Sequence, residues 1–220
     1  MLIVIVIPAR GGSKGILRKN LYQINGKPLI GYGIDVAKST CFRTIVATED
    51  EKIQQYSISK GVDVLAIPEE LTKDDSPLDE VLMYFADKIE FDLLVLMQAT
   101  SSMTRSEDIL RGVGMFHTYP EQYDSVMSVV NTNDILIWDE GKKEALNYDP
   151  KNRGRRQERK SKYVIETGGF YITKREQLLK SKCRIGGRIG FVEVPYWSHF
   201  QVDSLEDAEM IGRLMREKEC

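Results

Sequence analysis

Short apolar segments alternate with segments of helical period through the first half of this chain. Residues 2–7, 44–48, 62–67 and 93–97 are brief, branched and nearly uncharged, which predicts buried strands. Between and after them, residues 50–60, 77–89 and 106–117 have the period and end signals of helices. The alternation predicts a three-layer α/β fold with a largely parallel, Rossmann-like sheet, whose binding site lies at the carboxyl ends of the strands.

The pattern changes after residue 130. Residues 131–159 are polar and contain two short apolar pieces, 135–138 and 145–148, separated by a turn-rich stretch at 139–143. Strand patterns return at 169–173 and 191–194, and residues 204–217 predict a closing helix with Ser204 at its cap. Since no flexible linker divides the halves, we expect one domain over residues 1–220 with an inserted arm at about 131–159.

Composition excludes several classes of protein. The 220 residues are 42% hydrophobic and carry a net charge of −2, which suits a packed core and gives no whole-chain attraction to nucleic acid or anionic membrane. The longest apolar run is far shorter than the ~20 residues that span a bilayer, and no secretion leader is apparent. Three cysteines and two histidines suggest neither a disulfide framework nor a zinc site. We therefore expect a cytoplasmic protein without a membrane or nucleic-acid partner.

A glycine-rich basic loop follows the first predicted strand. It reads Ile-Pro-Ala-Arg-Gly-Gly-Ser-Lys-Gly over residues 7–15, and Arg-Lys-Asn follows at 18–20. Glycines let the backbone approach a ligand closely, and cations neutralise an oligophosphate, so the loop suits a nucleoside triphosphate. The alternative is a solvated basic turn, which explains neither the three glycines nor the buried strand that leads into them.

Named loop motifs fit this segment less well. It has neither the spacing of a P-loop nor that of a dinucleotide fingerprint. Gly11, Ser13 and Gly15 do have the Gly-x-Ser-x-Gly spacing of a serine hydrolase nucleophile elbow. An elbow needs a helix directly after it and an oxyanion loop from upstream strands, whereas only one strand precedes this loop. A hydrolase is therefore disfavoured.

Several runs together resemble a known family. They are Ile-Pro-Ala-Arg-Gly-Gly-Ser-Lys-Gly-Ile at 7–16, Arg-Lys-Asn-Leu at 18–21, Gly-Lys-Pro-Leu-Ile at 26–30, Gln-Ala-Thr-Ser-Ser at 98–102, Arg-Arg-Gln at 155–157, Thr-Gly-Gly-Phe-Tyr-Ile at 167–172 and Gln-Val-Asp-Ser-Leu-Glu-Asp at 201–207. The chain resembles the CMP-acylneuraminate synthetases, cytidylyltransferases that join CMP from CTP to nine-carbon 2-keto sugar acids. The resemblance implies the nucleotide-diphospho-sugar transferase fold, release of pyrophosphate, and a homodimer formed through the arm.

The resemblance also assigns site residues. It implies catalytic roles for Arg10, Lys19 and Asp203, and a nucleotide site formed by Arg10, Gly11, Gly12, Ser13, Lys14, Lys19 and Asn20. It implies a sugar-acid site formed by Gln98, Arg156, Gln157 and Tyr171. Each has a plainer alternative: Gln98 could cap a strand end, Tyr171 could be core, and residues 155–159 could be a solvated face.

Asp203 is the candidate ligand for Mg²⁺, because two negatively charged reactants need a cation between them. The alternative makes Asp203 a neighbour of a helix cap. Gln201 replaces the first acid of the family's metal pair, Ile67 stands where many members have arginine, and Ala99 and Ser102 replace two prolines. These departures leave open a weaker metal site, uncertain base contacts, and a binding protein that has lost turnover. The acceptor could also be Kdn, legionaminic or pseudaminic acid, or an eight-carbon relative.

Overall fold

The computed structural model describes residues 1–131, 135–158 and 163–218. Its strands are β1 Ile3–Pro8, β2 Gln23–Ile24, β3 Lys27–Pro28, β4 Arg43–Thr48, β5 Asp63–Ala66, β6 Leu93–Met97, β7 Ser125–Asn131, β8 Trp138–Asp139, β9 Glu144–Ala145, β10 Val164–Lys174 and β11 Ile189–Glu193. Its α-helices are α1 Leu29–Ser39, α2 Glu51–Ser59, α3 Leu78–Lys88, α4 Ser106–Thr118, α5 Arg175–Ser181 and α6 Leu205–Lys218. Short 3-10 helices cover Lys19–Leu21, Glu69–Thr72, Arg156–Glu158 and Tyr196–His199.

Seven strands form one sheet in the order β11-β7-β10-β6-β1-β4-β5. Strand β1 pairs in parallel with β4 and β6, and β4 pairs in parallel with β5. Strand β10 is antiparallel to both of its neighbours, β6 and β7, while β11 is parallel to β7. The largely parallel, Rossmann-like sheet predicted from the sequence is thus confirmed, with β10 as the reversed strand.

Alternating residues of β1 face two different cores. Ile5 and Ile7 join the apolar cluster that includes α1 and α4, whereas Val4 and Val6 join the cluster that includes α3. Successive side chains of a strand point to opposite faces of a sheet, so a central strand covered by helices on both sides needs apolar residues throughout. This requirement explains the unbroken apolar sequence of β1 and places helices in layers above and below the sheet.

Strands β1, β4, β5 and β6 and helices α2, α3 and α4 confirm the predicted alternation with ends shifted by one or two residues. Helix α1 was not predicted, because Gly31 and Gly33 weaken its helical signal. Gly31 is nevertheless required by packing, since a Cβ there would overlap the hydroxyl of Tyr56 on α2. Strand β7 and helix α5 were also not predicted.

The predicted hairpin of the inserted segment is present in shortened form. Strand β8 pairs antiparallel with β9, and the Trp138 and Tyr148 rings meet edge to face with centroids 6.0 Å apart. Two parts of this segment, residues 132–134 and 159–162, lie outside the described residues. Among the described residues, no helix combines the length and apolar character that crossing a bilayer would need.

Candidate nucleotide-binding site

One cleft lies where the strand order of the sheet reverses. Strand β1 has β4 on one side and β6 on the other, and ligands of open α/β sheets bind outside the carboxyl ends of strands at such a point. A cavity of about 320 Å³ occupies this position. Five predicted site residues line it together, namely Arg10, Ser13, Lys19, Asn20 and Gln98. The topology therefore brings residues 10 and 98 to one place although they are far apart in sequence.

The basic loop after β1 is held by its own hydrogen bonds. The buried Asn20 side chain donates through Nδ2 to the Arg10 carbonyl oxygen at 2.9 Å, which closes the loop on itself. The first helical segment after Ser13 is the three-residue 3-10 helix Lys19–Leu21, and Arg18 before it adopts a left-handed backbone conformation with φ of 54°. The long helix that a hydrolase elbow requires directly after its serine is thus absent, since α1 begins only at Leu29.

Gly11 is fixed against the turn between β4 and α2. Its backbone N–H donates to Glu49 Oε1 at 2.7 Å, while Glu49 Oε2 is buried and has no hydrogen-bond partner among the residues that the structure describes. A Cβ at Gly11 would lie 2.5 Å from Asp50 Oδ2, and Asp50 in turn caps α2 by accepting from the N–H groups of Lys52 and Ile53. Glycine is thus the residue that fits here. Glu49 was not predicted as a site residue, although its position directly after β4 places it beside the loop.

Three of the loop's cations are paired with carboxylates. Arg10 Nη1 lies 2.9 Å from Asp74 Oδ1, and Lys14 Nζ lies 2.7 Å from Asp74 Oδ2. Lys19 Nζ lies 2.8 Å from Asp203 Oδ1. The hydrogen bond from Lys14 lowers the pKa of the Asp74 carboxyl below its ordinary value. Asp74 was not predicted as a site residue, and it brings a negative charge to the cations proposed for phosphate.

Asp203 precedes α6 without capping it. Ser204 and Asp207 form the cap, since Asp207 N–H donates to Ser204 Oγ at 3.2 Å and Ser204 N–H donates to Asp207 Oδ2 at 2.9 Å. The Asp203 carboxylate instead faces Lys19 and is 67% exposed. In the described part of the chain, no three side chains of His, Cys, Asp or Glu lie close enough together to form a metal site. Asp203 is therefore a single exposed carboxylate beside the basic loop.

Gln201 has a structural role that accounts for its departure from the family pattern. Its Oε1 accepts a hydrogen bond from Thr100 Oγ1 at 3.1 Å, and its Nε2 donates to the Thr167 carbonyl oxygen at 2.7 Å. A Cβ at Gly168, which has φ of +70°, would overlap that amide nitrogen. A carboxylate at position 201 could not donate to Thr167, so the amide joins the loop after β6 to the start of β10.

Two other sugar-site candidates, Tyr171 and Gln157, are not among the described residues that line the cavity. Tyr171 is 2% exposed and packs in the core on the α3 side of the sheet, where its hydroxyl donates to Glu166. Burial, followed by the hydrogen bond to Glu166, raises the pKa of Tyr171 to about 12. Gln157 is exposed in the 3-10 helix Arg156–Glu158, and the side chain of Arg156 lies outside the described structure. The sugar-binding roles of these residues stay predictions.

One wall of the cleft is apolar. Ile67, Leu71, Leu78 and Val81 contribute to it opposite the basic loop, and Ile67 is only 7% exposed. Position 67 therefore supplies hydrophobic surface where the family often has a cation. A cleft with one apolar wall and one cationic wall can accept a planar base at one end and an oligophosphate at the other.

The fold and the site together define a nucleotidyltransferase-type α/β protein. Its cleft is lined by cations and lies where the strand order of the sheet reverses. The family model described as cytidylyltransferase matches residues 4–219, and the chain belongs to that family. An N-acylneuraminate cytidylyltransferase A from Danio rerio is 33% identical over 198 residues, which cover 86% of this chain and 45% of that protein. The chain thus spans about half the length of several curated relatives that it matches.

Two further likenesses differ in kind. A Campylobacter coli protein named post-translational flagellin modification protein B is 29% identical over 233 residues, covering 98% of this chain and 96% of that one. The solved structure of a CMP:2-keto-3-deoxy-manno-octonic acid synthetase complexed with CTP matches with a TM-score of 0.74 at 21% identity, covering 99% of this chain and 100% of that chain. The structural likeness confirms the predicted fold class.

Proposed function

We propose that this chain transfers a cytidylyl group from CTP to the anomeric hydroxyl of a nine-carbon 2-keto-3-deoxy sugar acid, releasing pyrophosphate. The observation that carries the proposal is the convergence of Arg10, Ser13, Lys19, Asn20 and Gln98 on one cleft. Membership of the cytidylyltransferase family supports the use of CTP. The names of relatives such as the Danio rerio protein support an N-acylneuraminate as the acceptor.

In this reaction the acceptor hydroxyl attacks the α-phosphorus in line. A new bond forms between that oxygen and phosphorus while the bond to the β-phosphate oxygen breaks, and the hydroxyl proton is released. The protein's contribution is positioning and stabilisation of the charge that builds on pyrophosphate. Arg10, Lys14 and Lys19 are the cations proposed for that charge, and Ser13 adds a hydroxyl donor. Asn20 keeps the loop in shape through its bond to the Arg10 carbonyl.

The apolar wall is proposed to receive the cytosine base. Ile67, Leu71 and Leu78 supply apolar side chains to the lining of the cleft. With no cation at position 67, recognition of the base would depend on shape and on polar groups of the cleft edge. The sugar acid would then lie toward Gln98, at the carboxyl end of β6.

Mg²⁺ is the expected cofactor, and the residues present fit it through one carboxylate. Mg²⁺ sites commonly use one or two carboxylates together with phosphate oxygens and water. Asp203 supplies one exposed carboxylate, and the Gln201 amide is engaged at both ends. Asp203 would therefore hold the ion together with phosphate oxygens. When bound, the ion would neutralise phosphate charge and polarise the phosphoryl oxygens.

A homodimer is proposed through the inserted hairpin. Trp138 and Leu146 are 51% and 48% exposed on it, which is a large apolar surface for so short a hairpin. A two-stranded hairpin is marginally stable in water, so a partner chain would stabilise it. Sedimentation at micromolar concentration should give a dimer; a monomer at all concentrations would contradict this assignment.

Pyrophosphate release tests the proposed reaction. The chain is incubated with CTP, Mg²⁺ and each of a panel of sugar acids: N-acetylneuraminate, Kdn, legionaminate, pseudaminate and an eight-carbon 2-keto acid. We expect release that requires both CTP and a nine-carbon acid, and that is absent with ATP, GTP and UTP. The relative named as a flagellin modification protein is the reason for including acids other than N-acetylneuraminate. Binding of CTP without release on any acid would indicate a non-catalytic binding protein.

A further inference from the structure

The Asp74 carboxylate occupies the position in the cleft where the loop cations would meet phosphate. Its two oxygens are divided between two cations, with Oδ1 on Arg10 at 2.9 Å and Oδ2 on Lys14 at 2.7 Å. The neighbouring Thr72 carbonyl oxygen also accepts from Arg10 Nη1 at 3.2 Å. Two groups of the same turn, the Thr72 carbonyl and the Asp74 carboxylate, are thus bound to the basic loop.

These cations cannot keep both sets of partners. Arg10 and Lys14 are the groups proposed to hold the oligophosphate, and an anion bound there would face the Asp74 carboxylate at close range. Like charges at such a distance repel, so the carboxylate and the phosphate compete for the two cations. An oligophosphate carries more charge than one carboxylate and offers more acceptor oxygens, which favours exchange of Asp74 for phosphate.

We propose that Asp74 is an electrostatic latch, which ties the cleft wall at residues 72–76 to the basic loop in the nucleotide-free protein and is displaced when an oligophosphate binds. This inference rests on the proposed function in so far as the loop binds phosphate. The proposal adds that nucleotide binding breaks the ion pairs of Asp74 with Arg10 and Lys14. The cost of breaking them makes nucleotide binding weaker than it would be if both cations were free.

The turn that carries Asp74, residues 69–76, has internal hydrogen bonds that do not involve the basic loop. Thr72 Oγ1 donates to the Glu69 carbonyl at 2.9 Å, Ser76 Oγ donates to the Glu70 carbonyl at 2.9 Å, and Ser76 N–H donates to the Lys73 carbonyl at 3.2 Å. Each of these bonds joins two residues of the same segment. The contacts of Asp74 and Thr72 with the loop can therefore be released without breaking the turn itself.

The latch should have a modest effect, because the Asp74 side chain is 47% exposed and exposed ion pairs are weak. Removing two such pairs from the free protein should tighten oligophosphate binding by about three- to tenfold. The test is titration calorimetry with inorganic tripolyphosphate, without divalent metal, on wild type, Asp74→Asn and Asp75→Asn. Asp75 is the adjacent exposed carboxylate, so its variant has the same change in net charge and is the matched control.

We expect tighter binding for Asp74→Asn and an unchanged constant for Asp75→Asn. Equal or weaker binding by Asp74→Asn, or an equal gain in both variants, would overturn the latch.

The latch and the proposed function can fail separately. Pyrophosphate release from CTP and a sugar acid, combined with no gain for Asp74→Asn, would leave the function standing and remove the latch. A gain for Asp74→Asn, combined with no release on any acid, would support the latch and remove the proposed reaction.

Discussion

Replacement of Lys19 by Met separates a role in catalysis from a role in folding. Lys19 Nζ lies 2.8 Å from Asp203 Oδ1, and the two side chains are 18% and 67% exposed. Because the carboxylate is largely in solvent, the ion pair should contribute only about 0.2–1 kcal/mol to the free energy of unfolding. Met retains the apolar stem of lysine, so packing around the stem should change little.

The same substitution should affect turnover much more. A cation that stabilises developing charge in the transition state is typically worth about 3 kcal/mol, which is roughly a hundredfold in rate. We therefore expect kcat/KM for pyrophosphate release from CTP to fall by about a hundredfold, while urea unfolding shifts by less than about 1 kcal/mol.

The matched control is Lys52→Met, which removes an exposed cation from α2 outside the cleft. Its turnover should stay within about twofold of wild type, since a distant exposed charge is largely screened. If Lys19→Met keeps turnover within threefold of wild type with normal stability, Lys19 does not act on the triphosphate. If it loses stability and activity together, its role is structural.

Three further changes test other parts of the site and fold. Asp203→Asn should raise the Mg²⁺ concentration needed for half-maximal pyrophosphate release, and an unchanged titration would remove Asp203 from the metal site. Gly11→Ala should destabilise by about 1–3 kcal/mol through its clash with Asp50, whereas Gly12→Ala, with no atom within 4 Å of its Cβ, should stay within about 1 kcal/mol of wild type in urea unfolding. The Arg188 guanidinium, which hydrogen-bonds to Asp124, holds the pKa of this carboxyl well below its usual range. The ionised Asp124 therefore stabilises the folded protein at pH values above the unfolded-state pKa of about 4, and this stabilisation is lost as the pH falls toward the folded-state pKa. Asp124→Asn should therefore lower stability at pH 7 and converge with wild type in acid unfolding curves; a constant difference across pH would contradict this.

The sequence predicted the centre of the sheet well because strands buried on both faces tolerate little variation. The apolar runs of β1, β4 and β6 lie between helices on both sides, so their composition alone marks them. Helix α1 was hidden by Gly31, which is present for close packing against Tyr56 on α2. That contact depends on the tertiary arrangement, whereas the low helical propensity of glycine predicts no helix here.

The part of the candidate site that lies at the ends of neighbouring strands could be predicted from the sequence. The loop after β1 and the residue after β6 meet because the two strands are parallel neighbours, so Lys19 and Gln98 had to lie near each other. Glu49 follows β4, the other parallel neighbour of β1, so topology places it beside the loop as well, but no motif marks it in the sequence. Asp74 was missed because it reaches the loop through one side chain from a separate turn, and no spacing in the sequence encodes that contact.

The most direct test of the central claim is a crystal structure with CTP bound. We expect the triphosphate against the loop of residues 10–20, with its oxygens on Arg10 and Lys19, and the base against the apolar wall at Ile67. Density for the nucleotide elsewhere, or an empty cleft at saturating CTP with Arg10 still bound to Asp74, would contradict it.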